Sequence, residues 1–170
     1  MRPLARPAAP PEPPPLLLDG PAPALPAALY RLDPWRRGRS SLDGPAARPR
    51  LAWRVRLGGP ISTSPTVDAE GTVYVGSQEG FLAAVEAKGR LKWRRRLPAK
   101  IWSTAALSPD GKTLYVGAED DRLHAVSTST GAPLWSLTLG TCPQKGAKGR
   151  DAVRCDVDSS PVVGPDGTIY

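Results

Sequence analysis

The chain has 170 residues, of which 21 are Pro and 17 Gly, with a formal charge of +7 at neutral pH. No run approaches the roughly 18 consecutive apolar residues of a membrane-spanning helix, so composition excludes a helical span. Ten Lys/Arg against four Asp/Glu fall in residues 1–60, which places +6 of the +7 there. The basic balance therefore belongs to the leader and defines no nucleic-acid-binding face.

Residues 1–29 read MRPLARPAAPPEPPPLLLDGPAPALPAAL. Such Pro/Ala sequence offers no apolar face to dock and is expected to be disordered or partly polyproline II. Its longest apolar run apart from Ala is Leu16-Leu17-Leu18, short of the about 7 to 15 residues of a secretory signal, so none is visible. Residues 30–50 form a lead-in whose basic run Arg36-Arg37-Gly38-Arg39 reads as a solvated segment rather than an anion site.

From there the chain repeats itself. Residues 61–97 are written again as 101–139: Gly71 falls on Gly111, Tyr74-Val75-Gly76 on Tyr115-Val116-Gly117, Leu82 on Leu123, Val85 on Val126, Gly89 on Gly131 and Trp93 on Trp135. Each unit holds four short runs rich in Val, Leu, Thr, Tyr and Trp; in the first they are 62–67, 72–77, 81–86 and 91–97. Gly-containing breaks between them suit tight turns. Four antiparallel strands in a unit of about forty residues make a β-propeller blade, so the predicted class is all-β. Helical solenoids of similar period need apolar residues at i, i+3, i+4 spacing, which this Gly and β-branched content forbids. Alternation is blurred in Leu82-Ala83-Ala84-Val85, as expected of inner strands buried on both faces. Ser160-Pro161-Val162-Val163 through Gly167-Thr168-Ile169-Tyr170 opens a third copy. The expected domains are a 1–29 leader, a 30–50 lead-in and an incomplete propeller of about two and a half blades over 51–170, interrupted by an insertion at 141–156.

The unit S-x-S-P-x-V-x-x-x-G-T-V-Y-V-G-S-x-x-G-x-L, followed by A-x-x-x-x-x-G-x-x-x-W, resembles the repeat of pyrroloquinoline-quinone (PQQ)-type, quinoprotein-like β-propellers. Ala125, Gly131 and Trp135 keep that family's tryptophan-docking spacing, and Ala84, Gly89 and Trp93 depart from it by one residue. The resemblance implies that Trp93 and Trp135 lie on the outermost strand of their blades and pack on small residues, locking blade to blade. Trp53, forty residues before Trp93, then reads as the outer strand of a preceding blade. Trp102 begins an inner strand and is given a packing role. Members usually have eight blades, so further blades are expected in a longer parent chain, and this piece alone is expected to be marginally folded or self-associating.

Both cysteines, Cys142 and Cys155, bracket the insertion. The first reading is a disulfide, stabilising by about 3 kcal/mol in an oxidising compartment. Two free thiols and a metal site stay open as alternatives. Quinoprotein dehydrogenases carry adjacent paired cysteines, a catalytic Asp and a calcium site of carboxylates and amides; nothing here matches, and the chain contains no Asn. Neither PQQ nor another cofactor is therefore expected. Asp151, Asp156 and Asp158 read as solvated loop charge, Glu119-Asp120-Asp121 as a hairpin tip, and His124, the single His, as structural. The resulting expectation is a non-enzymatic bacterial propeller segment, periplasmic by resemblance, that binds a protein partner as a scaffold. Its alternatives are part of a PQQ-dependent dehydrogenase whose active site lies in other blades, or the sensor domain of a larger protein.

Overall fold

The computed structural model describes residues 48, 50–140 and 157–170. The leader, nearly all of the lead-in, and the insertion with Cys142, Cys155, Asp151 and Asp156 lie outside the described residues. Two antiparallel sheets follow one another. The first contains β1 (Thr66–Val67), β2 (Val73–Gly76), β3 (Phe81–Val85) and β4 (Leu91–Arg96); the second contains β5 (Ala106–Leu107), β6 (Thr113–Ala118), β7 (Arg122–Ser127) and β8 (Pro133–Thr138). Each runs in simple up-and-down order, which is the blade topology. A third unit begins with a bridge between Val163 and Ile169, flanked by reciprocal backbone hydrogen bonds between Val162 and Tyr170.

Turn chemistry explains the spacing. Gly71 and Gly111 close the β1–β2 and β5–β6 turns at φ +80° and +69°, donating N–H to the carbonyls of Asp68 and Ser108. The Asp68 carboxylate accepts the N–H groups of Glu70 and Thr72, a side-chain cap on the turn. At the next hairpin Gly80 has φ +78°, and its counterpart is Asp121 at φ +65°. Asp is among the few residues that tolerate this left-handed region, so a Gly can be replaced by it here.

The innermost strands are shorter than the runs 62–67 and 101–107. Residues 61–65 and 101–105 are outside any ladder: Thr63 and Ser103 hydroxyls bond the backbone of Gly76 and Gly117 in their own blade, while backbone groups beside them reach the neighbouring one. Ser64 N–H donates to Thr104 Oγ1 at 3.3 Å, and Thr104 N–H donates to Ser160 Oγ at 2.9 Å. Equivalent residues of three successive units are thus joined head to tail. Ile101 N–H likewise donates to Ser77 O, and Val157 N–H to Ala118 O.

The larger core lies between the two blades. Tyr74, Leu82, Ala84 and Trp93 of the first meet Leu107, Leu114, Val116 and Val126 of the second, with Ile101 in the join. Gly76 makes room for Ile101, and Gly117 for Val157 at the start of the third unit. A Cβ on Gly76 would stand 2.5 Å from Ile101 Cγ2, and one on Gly117 would stand 2.4 Å from the Val157 carbonyl oxygen. On the other face of the first blade, Val75, Ala83 and Val85 are covered by Trp53, Val55 and Leu57. Residues 51–57 were expected as an outer strand; among the described residues they have no ladder partner and act as a cover.

Tyr74 is fully buried, and its phenol donates to Asp68 Oδ2 at 2.9 Å. Burial first, then the bond to the Asp68 carboxylate, hold its pKa far above the ordinary tyrosine range. The raised value favours the neutral phenol in the fold, so this contribution is complete below the unfolded value of about 10 and is lost as pH rises through the folded one. Urea unfolding from pH 8 to 11 is expected to show stability falling above about pH 10. Tyr74→Phe should flatten that limb while costing about 1 kcal/mol at neutral pH, the net worth of one hydrogen bond.

Candidate interaction surface

The sequence pattern of Ala, Gly and Trp within one repeat builds a contact between two repeats. Across strands, Ala84 stands opposite Trp93 and Ala125 opposite Trp135, each just before a bulge. The glycine that receives Trp93 is not Gly89 but Gly131 of the following blade: a Cβ there would lie 2.7 Å from the indole Cδ2. Trp53 sits in the same way over Gly89, where a Cβ would meet its Cγ at 2.5 Å. Both indoles also donate to equivalent turn carbonyls, Trp53 Nε1 to Ala87 O at 2.9 Å and Trp93 Nε1 to Thr128 O at 2.8 Å. An aromatic neighbour supports each strand-borne Trp, Tyr74 at 6.0 Å from Trp93 and Tyr115 at 5.7 Å from Trp135.

Trp93 is 9% exposed, Trp135 43%. The difference follows from the repeat. Gly131 of the following blade covers Trp93, and among the described residues no glycine turn lies against Trp135. Around Trp135, the side chains of Leu137, Leu139, Val157, Ile169 and Tyr170 line an apolar hollow of about 200 Å³ on the side of the third unit.

Trp102 differs from its expected packing role. It is 37% exposed and its Nε1 donates to Glu119 Oε1 at 2.7 Å, with Lys100 Nζ 4.0 Å from the same carboxylate. Ser62 holds the equivalent place and bonds Gln78, so the two units use the same positions with different chemistry. The missed signal was the pairing of Gln78 with Glu119 in the repeat alignment. His124 is buried beside Asp120, whose carboxylate oxygens are 3.0 and 3.1 Å from Nε2. Among the described residues no group of three or more His, Cys, Asp or Glu is placed to hold a metal ion, and no helix is long and apolar enough to cross a membrane.

A cleft of about 610 Å³ separates the end of β4 from β7 and β8. Trp93 is outside its lining, seated on Thr128 and Gly131. Arg95 and Arg122 carry guanidiniums to it, with His124 and Asp120, whereas Arg96 lines it from the end of β4 and turns its guanidinium to the opposite face, over Phe81. The first two are anchored, Arg95 Nη1 on Gly131 O at 3.4 Å and Arg122 Nη1 on Ser136 Oγ at 3.1 Å. Arg96 lies 5.5 Å from the centre of the Phe81 ring.

The repeats are similar to those of known proteins. The family model described as outer membrane protein assembly factor BamB, built on PQQ-type repeats, matches residues 46–170. The chain is 32% identical over 124 residues to outer membrane protein assembly factor BamB of Moranella endobia, covering 71% of this chain and 31% of that protein. It is 29% identical over 103 residues to the Salmonella typhimurium protein of the same name, covering 60% and 23%. Protein Rv3035 of Mycobacterium tuberculosis is 30% identical over 124 residues, covering 66% and 28%. The chain thus spans less than a third of the length of these relatives. A quinohemoprotein alcohol dehydrogenase of Pseudomonas putida superposes with a TM-score of 0.50 at 20% identity, over 66% of this chain and 17% of that one, a likeness of fold. With the blade topology, the inter-blade tryptophans and a match over residues 46–170 in agreement, the chain belongs to the PQQ-type repeat family of outer membrane protein assembly factor BamB.

Proposed function

We propose that this chain is part of a non-catalytic propeller that serves as a protein-binding or assembly scaffold in the bacterial cell envelope, on the periplasmic side. The observation that supports it most is the match to the assembly-factor family across 46–170. The residues fit that reading. Repeated docking positions, Trp53 on Gly89 and Trp93 on Gly131, make a rigid array, and rigid arrays of blades present extended surfaces to partners. The chain contains no Asn, one of the amide side chains expected in a calcium-type quinone site.

The test is affinity isolation of the protein from chemically cross-linked envelopes, combined with a dye-reduction assay after adding PQQ, calcium and simple alcohols. Cross-linked outer-membrane assembly proteins with no alcohol-dependent dye reduction are the expected result. Dye reduction that depends on added PQQ would overturn the scaffold reading in favour of a dehydrogenase.

A further inference from the structure

We propose that the cleft between the first and second blades binds a short acidic peptide segment, one carrying two or more carboxylates beside an apolar side chain. The proposal rests on the scaffold reading and gives it a location and a ligand chemistry. Two guanidiniums, those of Arg95 and Arg122, serve the cleft against a single carboxylate, Asp120, which is already engaged by His124. The ion pairs formed among the described residues, Arg90 with Glu86, Lys100 with Glu119 and His124 with Asp120, include neither arginine. Each guanidinium has five N–H donors in a planar fork. The anchoring bonds of Arg95 and Arg122 use one nitrogen each, which leaves donors for bidentate contact with a carboxylate.

Position matters as much as charge. The anchors on Gly131 O and Ser136 Oγ restrain side chains that would otherwise lose much rotamer freedom on binding. The rest of the lining is apolar, with Leu97 and Pro98 from the first blade and Val126 and Pro133 from the second. A recess that alternates fixed cations with apolar walls suits an extended peptide. A bilayer or a polynucleotide presents phosphates over a broad surface, and the recess between two sheets gives them no such platform.

The probe is a fluorescein-labelled peptide alternating Asp and Glu with Leu, followed by anisotropy with the full chain, against a counterpart in which Asn and Gln replace the acids. The acidic peptide is expected to bind, with affinity falling as salt is raised, and the amide counterpart is expected not to bind. Arg95→Glu with Arg122→Glu should weaken binding by about tenfold or more, the scale expected for reversing charges that face a charged ligand. Lys88→Glu, an equal change of sign per residue on an exposed turn away from the cleft, should leave it unchanged. Should the double reversal lower the melting temperature, Arg95→Gln with Arg122→Gln provides the same readout with less repulsion. Binding that survives both doubles, or that Lys88→Glu weakens equally, would overturn the proposal. So would displacement of the peptide by millimolar inorganic phosphate as effectively as by unlabelled peptide, or stronger binding to phosphatidylglycerol vesicles than to the peptide. The scaffold reading is judged separately by the cross-linking yield: a double variant that keeps the wild-type cross-links and the peptide affinity sinks the cleft alone.

Discussion

Trp93→Ala is expected to lower the unfolding free energy by about 3 to 5 kcal/mol, the range for truncating a large aromatic in a core. The indole stands between two blades, is 9% exposed, and packs over Gly131 while donating to Thr128 O. Its removal opens a cavity in the joint and leaves that carbonyl unpaired in a buried setting, which adds to the transfer term. Trp53→Ala removes a similar group from an exposed hydrogen bond to Ala87 O and from the cover over a single blade. It should cost less than Trp93→Ala. Urea unfolding of the two variants, with the same chain as reference, checks the order; equal losses would mean that the joint between blades holds nothing beyond ordinary burial.

The second large effect is at the receiving side. Gly131 has φ +71° and a Cβ there would strike the Trp93 ring at 2.7 Å, whereas Gly111 has φ +69° with open space around it. Gly111→Ala therefore isolates the left-handed backbone cost, roughly 1 to 2 kcal/mol. Gly131→Ala adds overpacking against a rigid ring, roughly 1 to 3 kcal/mol more. Because the clash is with Trp93, the double variant Gly131→Ala with Trp93→Ala should cost less than the sum of the singles. Denaturation midpoints of the four proteins measure this coupling. Additive losses would show that the glycine serves its own turn only.

The strands were legible because the chain wrote them twice. Aligning Tyr74 with Tyr115 and Trp93 with Trp135 gave the blade and its turns without reference to any contact. What repetition could not show was direction. Gly89 and Trp93 belong to one repeat in the text, yet they touch different neighbours, Trp53 on one side and Gly131 on the other. The short inner strands were obscured for a related reason. Ser64, Thr104 and Ser160 are equivalent hydroxyl residues, and only the placement of successive blades reveals that the backbone N–H groups of Ser64 and Thr104 are donated forward along the series. Asp121 in the place of Gly80 shows the limit from the other side, since sequence marks a turn there while only the backbone records φ +65°.

The basic cleft was the least legible feature. Arg95 lies on the outer strand of the first blade and Arg122 at the start of a strand in the second, and the two reach one cleft only after the blades stack. Read along the chain, they are surface charges in a nearly neutral repeat region. His124 was expected to be structural as the single His, with no second imidazole or nucleophile in local register; the fold sets it beside Asp120, four residues away at the hairpin tip.

Hydrogen exchange of the indole N–H protons, followed by nuclear magnetic resonance on the intact 170-residue chain, tests the head-to-tail docking of blades most directly. The docking account predicts strong protection for Trp93 Nε1–H, which is buried on Thr128 O, intermediate protection for Trp53 on the exposed Ala87 O, and rapid exchange for the exposed Trp135. Equal and rapid exchange of Trp93 and Trp135 would contradict it, because Trp93 would then not be held by the following blade.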